Sequence, residues 1–461
     1  MKPFVKDGRF YKVFFSMTAV IALQNLISFS VNLADNIMIG GYSQVALNGV
    51  SMVNQIQFLL QMVVSGVGNG IVVLGAQYWG KRQTEPIRRV TSIGMVLAIT
   101  VSLLMTAVVY FFPHQTLSLL TNEQPVIAEG ARYLKIVCFS YVLFAVTNVL
   151  LSSLRSVETV KIGFVVTLAA LVVNICLNYC LIYGRFGFPE LGAVGAAIAT
   201  LTSRVVEFLI VVVYTLAMDR KVRWRFSMLF SFDAGLFRDY LHVGLPLILS
   251  STVWGLATSA QTAILGRLGQ DTIAANSIVT TIFQVVTVLA YGAASASSVI
   301  IGKTVGENDI PRVKAYTVTL QLMYLIIGLL TSGILWLCKD FILGFYSITP
   351  ETHDLAIQFI AVLSVTVIGT TYECACLTGI VTGGGDTRFV LINDLIHQWL
   401  IVIPSAYLSA FVFHAPLWVT FACLKSDQIL KCFVAVVKVN RYRWIRVLTR
   451  PDVPQEKTSA S

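Results

Sequence analysis

Long apolar stretches separated by short polar turns run through nearly the whole chain. Twelve of them reach the roughly 20 residues that a helix needs to cross a bilayer. They cover about 12–38, 46–79, 88–112, 127–152, 161–183, 192–217, 240–265, 272–302, 313–337, 354–381, 389–412 and 416–437. Several exceed the minimum by about ten residues, so the helices tilt or project beyond the bilayer. The pattern also repeats. Gly40 and Gly266 close the first long stretch of each half and Gly80 and Gly306 close the second, each pair 226 positions apart. At the same spacing, the run Gly66-Val67-Gly68-Asn69-Gly70 falls on Gly292-Ala293-Ala294-Ser295-Ala296. Six spans per half is an even number, so both halves enter the membrane from the same side. The sequence therefore predicts an all-α polytopic membrane protein with twelve transmembrane helices in two parallel, pseudo-symmetric six-helix lobes around a central cleft. The expected divisions are an N-terminal lobe at 1–217 (helices 1–6), a cytoplasmic linker at 218–239, a C-terminal lobe at 240–440 (helices 7–12) and a basic cytoplasmic tail at 441–461.

Composition agrees with a lipid environment. Only 12% of residues are charged and the mean hydropathy is +0.78, against about 25% charged in an average soluble domain. With the N-terminus placed inside, the inner segments carry Lys2, Lys6, Arg9 and Lys12, then Lys81, Arg82, Arg88 and Arg89, and then the cluster from Arg220 to Arg225. The outer loops offer only Arg185, Arg267 and Lys339. The positive-inside rule thus predicts cytoplasmic termini and a multi-pass protein of the cell membrane, the inner membrane in a bacterium. The net charge of +10 is accounted for by that basic inner face and requires no nucleic-acid partner. The basic and aromatic stretch Asp219–Phe226 reads as an interfacial linker between the lobes. The first apolar stretch is too long for a cleaved leader and is expected to stay as helix 1. Eight cysteines lie almost all within the spans and read as small packing residues.

Enzyme motifs fail. Gly302-Lys303-Thr304 resembles the end of a phosphate-binding loop, but Ser297 stands where that motif needs its first glycine, and the segment is helical. The run Gly383-Gly384-Gly385-Asp386 reads as a turn between helices 10 and 11, with Asp386 expected to cap the next helix. No cofactor and no structural metal are implied, and active transport would draw on an ion gradient.

Charges inside the spans are then the informative residues, because a carboxylate at mid-bilayer costs at least about 2.5–3.5 kcal/mol. Asp35 lies near the end of helix 1 and either polarises that end or faces a wet cavity. Glu207 in helix 6 follows Arg204 by one turn, which predicts a structural ion pair. Glu373 in helix 10 has no local cation and is a possible acid of the C-terminal lobe. Asp427 has Lys425 and Lys431 nearby. His397 lies one turn after Asp394, a candidate acid–base pair. Asn174 and Asn178 share a face of helix 5; they either tie helices together or offer oxygens to a cation. Trp254, Tyr291 and Tyr372 are either packed or in contact with substrate through their rings.

Several motifs together resemble the multidrug and toxic compound extrusion (MATE) transporters: Asn32-Leu33-Ala34-Asp35-Asn36-Ile37-Met38-Ile39-Gly40, Gly75-Ala76-Gln77-Tyr78-Trp79-Gly80, the helix 5 run Asn174 to Asn178, Gly195-Ala196-Ala197-Ile198-Ala199-Thr200 and Gly383-Gly384-Gly385-Asp386-Thr387-Arg388-Phe389. The resemblance spans nearly the whole chain. It implies a secondary antiporter, expected to be a monomer, that exports amphipathic, cationic organic compounds in exchange for H⁺ or Na⁺. It also implies an ion site formed by Asp35 with Asn174, Asn178 and Thr200. The chain departs from the family at three places. One branch has a second aspartate where Asn178 stands, and a helix 1 proline at the place of Val20. Another has a helix 7 glutamate where Trp254 stands, and Glu373 lies about two residues from that branch's helix 10 aspartate. A lipid-linked precursor flippase of the same superfamily is the alternative, although an Arg-rich cleft and extra helices are missing. A membrane-embedded enzyme or receptor is a further one, and it lacks a catalytic constellation.

Overall fold

In the computed structural model, residues 5–230, 233–344 and 348–450 are described; Lys2 and the part of the basic tail at 451–461 lie outside them. The N-terminal half contains α1 (Gly8–Tyr42), α2 (Gln44–Gly80), α3 (Thr84–Phe111), α4 in two parts (Gln124–Val137 and Ser140–Ser156), α5 (Lys161–Ile182) and α6 (Ala193–Met218). The C-terminal half contains α7 (Ala234–Gly266), α8 (Gln270–Gly306), α9 (Ile310–Leu343), α10 (Pro350–Val381), α11 (Thr387–Val412) and α12 in two parts (Leu417–Leu424 and Asp427–Asn440). Ten of these helices are long and apolar enough to span a membrane, and the two parts of α4, bent by 51°, make an eleventh. The twelfth predicted stretch is carried by α12, whose parts meet at Lys425 and Ser426. Lys425, Asp427 and Lys431 interrupt its apolar character, which sets it apart from the others.

The repeat is visible in how the helices begin. The starts of α1 and α7, of α2 and α8, and of α3 and α9 are each 226 residues apart. The Asp7 carboxylate accepts a hydrogen bond from the Arg9 backbone N–H at the start of α1, and the Asp233 carboxylate accepts from Gly235 and Leu236 at the start of α7. Two caps at equivalent places satisfy donors that a helix N-terminus leaves free.

The small-residue runs explain how the lobes touch. A Cβ on Gly66 would stand 2.5 Å from the Ile248 Cα, so α2 meets α7 with no room for a side chain. Its counterpart Gly292 meets the Thr18 carbonyl of α1 at 2.7 Å in the same sense. Gly80 crosses the Lys303 carbonyl of α8, and Gly306 crosses the Gln77 carbonyl of α2. These are one contact made twice, because Gln77 and Lys303 are themselves 226 positions apart. Close backbone approach of this kind supplies packing that lipid would not otherwise drive.

Polar bonds join the lobes at that end of the bundle. Lys303 Nζ is 2.8 Å from Glu158 Oε1. Gln77 donates its amide to the Arg446 carbonyl at 3.1 Å and accepts from the Leu448 N–H at 2.8 Å. The segment after α12 thus straps across α2, with Trp444 fully buried against Gly384 and Arg450 paired to Asp239 at 2.6 Å. The linker after α6 does not lie free on a surface. Trp224 is buried and donates its indole N–H to Ser92 Oγ of α3 at 2.9 Å.

Candidate functional site

The N-terminal lobe brings the predicted ion-site residues together. Asp35 is seven residues before the end of α1, and its carboxylate does not cap that helix. Instead Asp35 Oδ1 accepts from Asn178 Nδ2 of α5 at 2.5 Å, and the same Nδ2 lies 3.1 Å from Asn174 Oδ1 one turn earlier. Both asparagines are almost wholly buried. The i, i+4 spacing aligns the two amides on the face of α5 that packs on α1. Thr200 arrives from α6, buried, beside Tyr133 of α4. Among the described residues three atoms here have no hydrogen-bond partner: Asn178 Oδ1, Asn174 Nδ2 and Thr200 Oγ1. Buried polar atoms are almost always satisfied, so unused oxygens beside a carboxylate mark a place with capacity for a proton or a cation. Sequence reasoning missed Tyr133, which had no distinguishing signal within an apolar helix.

Arg204, whose charge reaches Asp35, lines a partly open cavity of about 300 Å³ between α1, α2, α4, α5 and α6. Its walls are polar. Gln24, Asn25, Gln61, Asn69 and Asn148 contribute carboxamides, and Ser28, Ser65, Ser152, Thr147 and Thr167 contribute hydroxyls. Gly68 and Gly163 make this possible: a Cβ at Gly68 would meet Ser152 Oγ at 2.5 Å and Asn148 Oδ1 at 2.7 Å, and one at Gly163 would meet Gln24 Oε1 at 2.7 Å. The predicted Arg204–Glu207 ion pair forms, at 2.7 Å, and both residues line this cavity. Arg204 also stacks over Phe144, 5.2 Å from the ring centroid, and its charge reaches Asp35. Arg155 near the end of α4 reaches the cavity too.

The C-terminal lobe collects a second polar group. Lys431 of α12, with a side chain 4% exposed, lies 2.9 Å from Asp394 Oδ1 of α11 and 3.6 Å from Asp427 Oδ2. Ser250 of α7 donates to the other oxygen of Asp394, and Gln398 donates to Asp427 at 2.6 Å. Glu373 faces the same cluster and feels the charge of Lys431. Here the expected Asp394–His397 pair is corrected: His397 Nδ1 is 2.9 Å from the Asn393 carbonyl, and Asp394 turns to Lys431. Asp386 likewise makes no side-chain cap bond to α11; Lys438 at 2.7 Å and Arg446 at 3.0 Å hold its carboxylate. In both cases a cation distant in sequence outcompetes the local partner, because a charge-assisted bond is about twice as strong as a neutral one. The π-helical turns Ala375–Val381 and Ile396–Val402 adjoin this cluster, as such turns often do at functional sites.

The three candidate aromatics are dispersed. Trp254 is 37% exposed and tilted against Phe58, Tyr372 donates to Gln321 Oε1 at 2.7 Å, and Tyr291 packs in the core of the C-terminal lobe near Glu373. None belongs to the lining of the N-terminal cavity. Among the described residues no group of His, Cys, Asp and Glu has the arrangement of a metal site.

A family model described as MatE matches residues 21–180 and 246–408, one region in each lobe. The chain belongs to the MatE family. It is 25% identical over 451 residues to the probable multidrug resistance protein NorM of Listeria innocua, covering 96% of both chains. Its fold is similar to a crystal structure of MATE in complex with MaL6 (TM-score 0.84, 18% identity, 93% of this chain and 96% of that one). It is similar also to a MOP superfamily transporter from Pyrococcus furiosus (TM-score 0.85, 19% identity, 95% and 97%). This MatE protein is a multi-pass membrane transporter and not an enzyme, with the two-lobed helical architecture that its repeat predicts.

Proposed function

We propose that the protein is a secondary antiporter of the cell membrane that expels organic compounds in exchange for H⁺ or Na⁺, working as a monomer with both termini in the cytoplasm. The observation that carries this reading is the Asp35–Asn178–Asn174 chain with its unused neighbouring oxygens. In this role Asp35 takes up the proton or cation, Asn174 and Asn178 orient its carboxylate, and Thr200 supplies a further oxygen. The N-terminal cavity is the substrate chamber, and the relative named for multidrug resistance supports drug-like cargo. Glu373 with Lys431, Asp394 and Asp427 forms a second charged centre in the other lobe. Ion and substrate bind to the two access states with different strength, and that difference moves the equilibrium between them.

The reading is tested in vesicles loaded with a fluorescent organic cation, under an imposed H⁺ gradient, an imposed Na⁺ gradient, and neither. Efflux driven by one gradient names the coupling ion. Asp35→Asn, which keeps the size of the side chain, is expected to abolish gradient-driven efflux while the protein remains folded and inserted. Undiminished driven transport by that variant removes Asp35 from the mechanism.

A further inference from the structure

Among the described residues Arg155 has no counter-ion. It lies one residue before the end of α4, lines the N-terminal cavity, and donates from Nη1 to Ser295 Oγ of α8 at 3.4 Å. Among the described residues no carboxylate forms an ion pair with it. Glu158, three residues on, is occupied by Lys303 at 2.8 Å. Arg204 and Glu207 neutralise each other, so the cavity lining holds two guanidinium groups against one carboxylate. Charges withdrawn from water are normally paired. A long bond to a neutral hydroxyl leaves most of that requirement unmet.

We propose that this cavity binds an anionic group, a carboxylate or phosphate, of a small polar ligand, with Arg155 as its counter-ion. This rests on the reading of the cavity as the transporter's substrate chamber and names the charge of the cargo. A guanidinium presents a planar fork of donors matched to such oxygens. The surrounding carboxamides and hydroxyls suit the rest of a hydrogen-bonding molecule better than a lipophilic one. Two of their atoms, Thr147 Oγ1 and Asn148 Oδ1, are buried with no hydrogen-bond partner among the described residues. An anion on Arg155 also competes with Ser295 for the guanidinium. Ligand binding in one lobe thereby weakens a bond to the other.

The test uses full-length protein in detergent and two probes of nearly equal shape, 4-hydroxybenzoate and 4-hydroxybenzylamine, with binding measured by titration calorimetry. The expected result is at least tenfold tighter binding of the carboxylate. Arg155→Gln should lose at least tenfold for the carboxylate and nothing for the amine, and Arg155→Lys should recover most of the loss, which guards against a folding artefact. Equal or stronger binding of the amine, binding of neither probe, or an Arg155→Gln variant that binds the carboxylate as wild type does, overturns the proposal. Repeating the titration in bilayer discs with and without phosphatidylglycerol separates the sources of the anion. Competition by the lipid assigns the site to a headgroup, and its absence assigns it to a soluble ligand. Driven efflux of a fluorescent organic anion, measured beside that of the organic cation on the same preparations, keeps the two readings apart, and inactivity means that neither dye is driven. An active antiporter that prefers the amine overturns the anion assignment alone, whereas an inactive protein that selects the carboxylate through Arg155 overturns antiport alone.

Discussion

Replacing Lys431 by methionine keeps most of the side chain's volume and removes its ammonium from between two carboxylates of the C-terminal lobe. At 2.9 Å from Asp394 and 3.6 Å from Asp427, with an effective dielectric of about 20, the attractions lost are roughly 6 and 5 kcal/mol. The variant regains the several kcal/mol that desolvating the ammonium costs. What remains is the penalty of leaving buried carboxylates unopposed, about 3–5 kcal/mol for removal of one partner of a buried pair. Asp394→Asn alone is milder, because Lys431 retains Asp427 and Ser250 keeps an oxygen to donate to. The double variant Lys431→Met/Asp394→Asn removes one charge of each sign. It should therefore be more stable than the sum of the single losses by about 2–3 kcal/mol, the upper range for groups in contact. The assay is unfolding of the four proteins in one detergent, followed by tryptophan fluorescence at pH 7. Additive losses, or a Lys431→Met variant as stable as wild type, would refute the claim that this cluster is held by its charges.

Gly66→Val should separate α2 from α7, costing about 1–3 kcal/mol by overpacking and impairing transport, since its Cβ falls 2.5 Å from a backbone atom of the facing helix; Gly333→Ala, with nothing within 4 Å, is the neutral control in the same unfolding assay. Trp444→Ala should cost about 3–5 kcal/mol and expose the strap after α12 to limited proteolysis, because Trp444 is fully buried on Gly384. Asp233 is held below the usual carboxylate range by the Leu236 N–H, with Arg89 and the Gly235 N–H adding to this. Its stabilisation is therefore complete above about pH 4 and is lost as pH falls through the lower folded-state value. Asp233→Ala should destabilise the protein at pH 7 by about 0.5–2 kcal/mol, the worth of a helix cap, and by less at pH 3; an equal loss at both would contradict the assignment.

The lobes were legible in the sequence because their contacts are made by backbone. Where Gly66 meets Ile248 and Gly292 meets Thr18, no other residue fits, so both copies retain small residues at the same spacing and the repeat survives elsewhere-diverged sequence. Asp35, Asn174 and Asn178 were legible for a related reason: polar groups in an apolar helix need a partner, and their spacing on α5 selects one face. Arg155 was not legible. It falls three positions beyond the predicted apolar stretch 127–152, where an arginine reads as a solvated end, and only the approach of α8 encloses it. Asp394 misled in the opposite way. His397 was its nearest candidate in sequence, while its actual partner is 37 positions away on α12.

The bonds that join the lobes also set the energy that the proposed antiport must supply. On the side where α2 and α8 cross, the polar links between the lobes include Arg155 to Ser295, Lys303 to Glu158, Arg89 to Asp233, Tyr240 to the Val67 carbonyl, and Gln77, Tyr78 and Lys81 to the strap. A hydrogen bond of this kind is worth about 1 kcal/mol net and a partly exposed ion pair no more than that. Parting them therefore costs several kcal/mol, before the glycine crossings lose their packing. One elementary charge crossing the membrane yields about 2.3 kcal/mol per 100 mV. One charge at 100 mV is thus smaller than the full set of polar links, and a ligand that takes Arg155 from Ser295 lowers the requirement. The remainder has to come from new contacts in the other access state and from differential binding, which on the proposed reading falls to the occupants of Asp35 and of the N-terminal cavity.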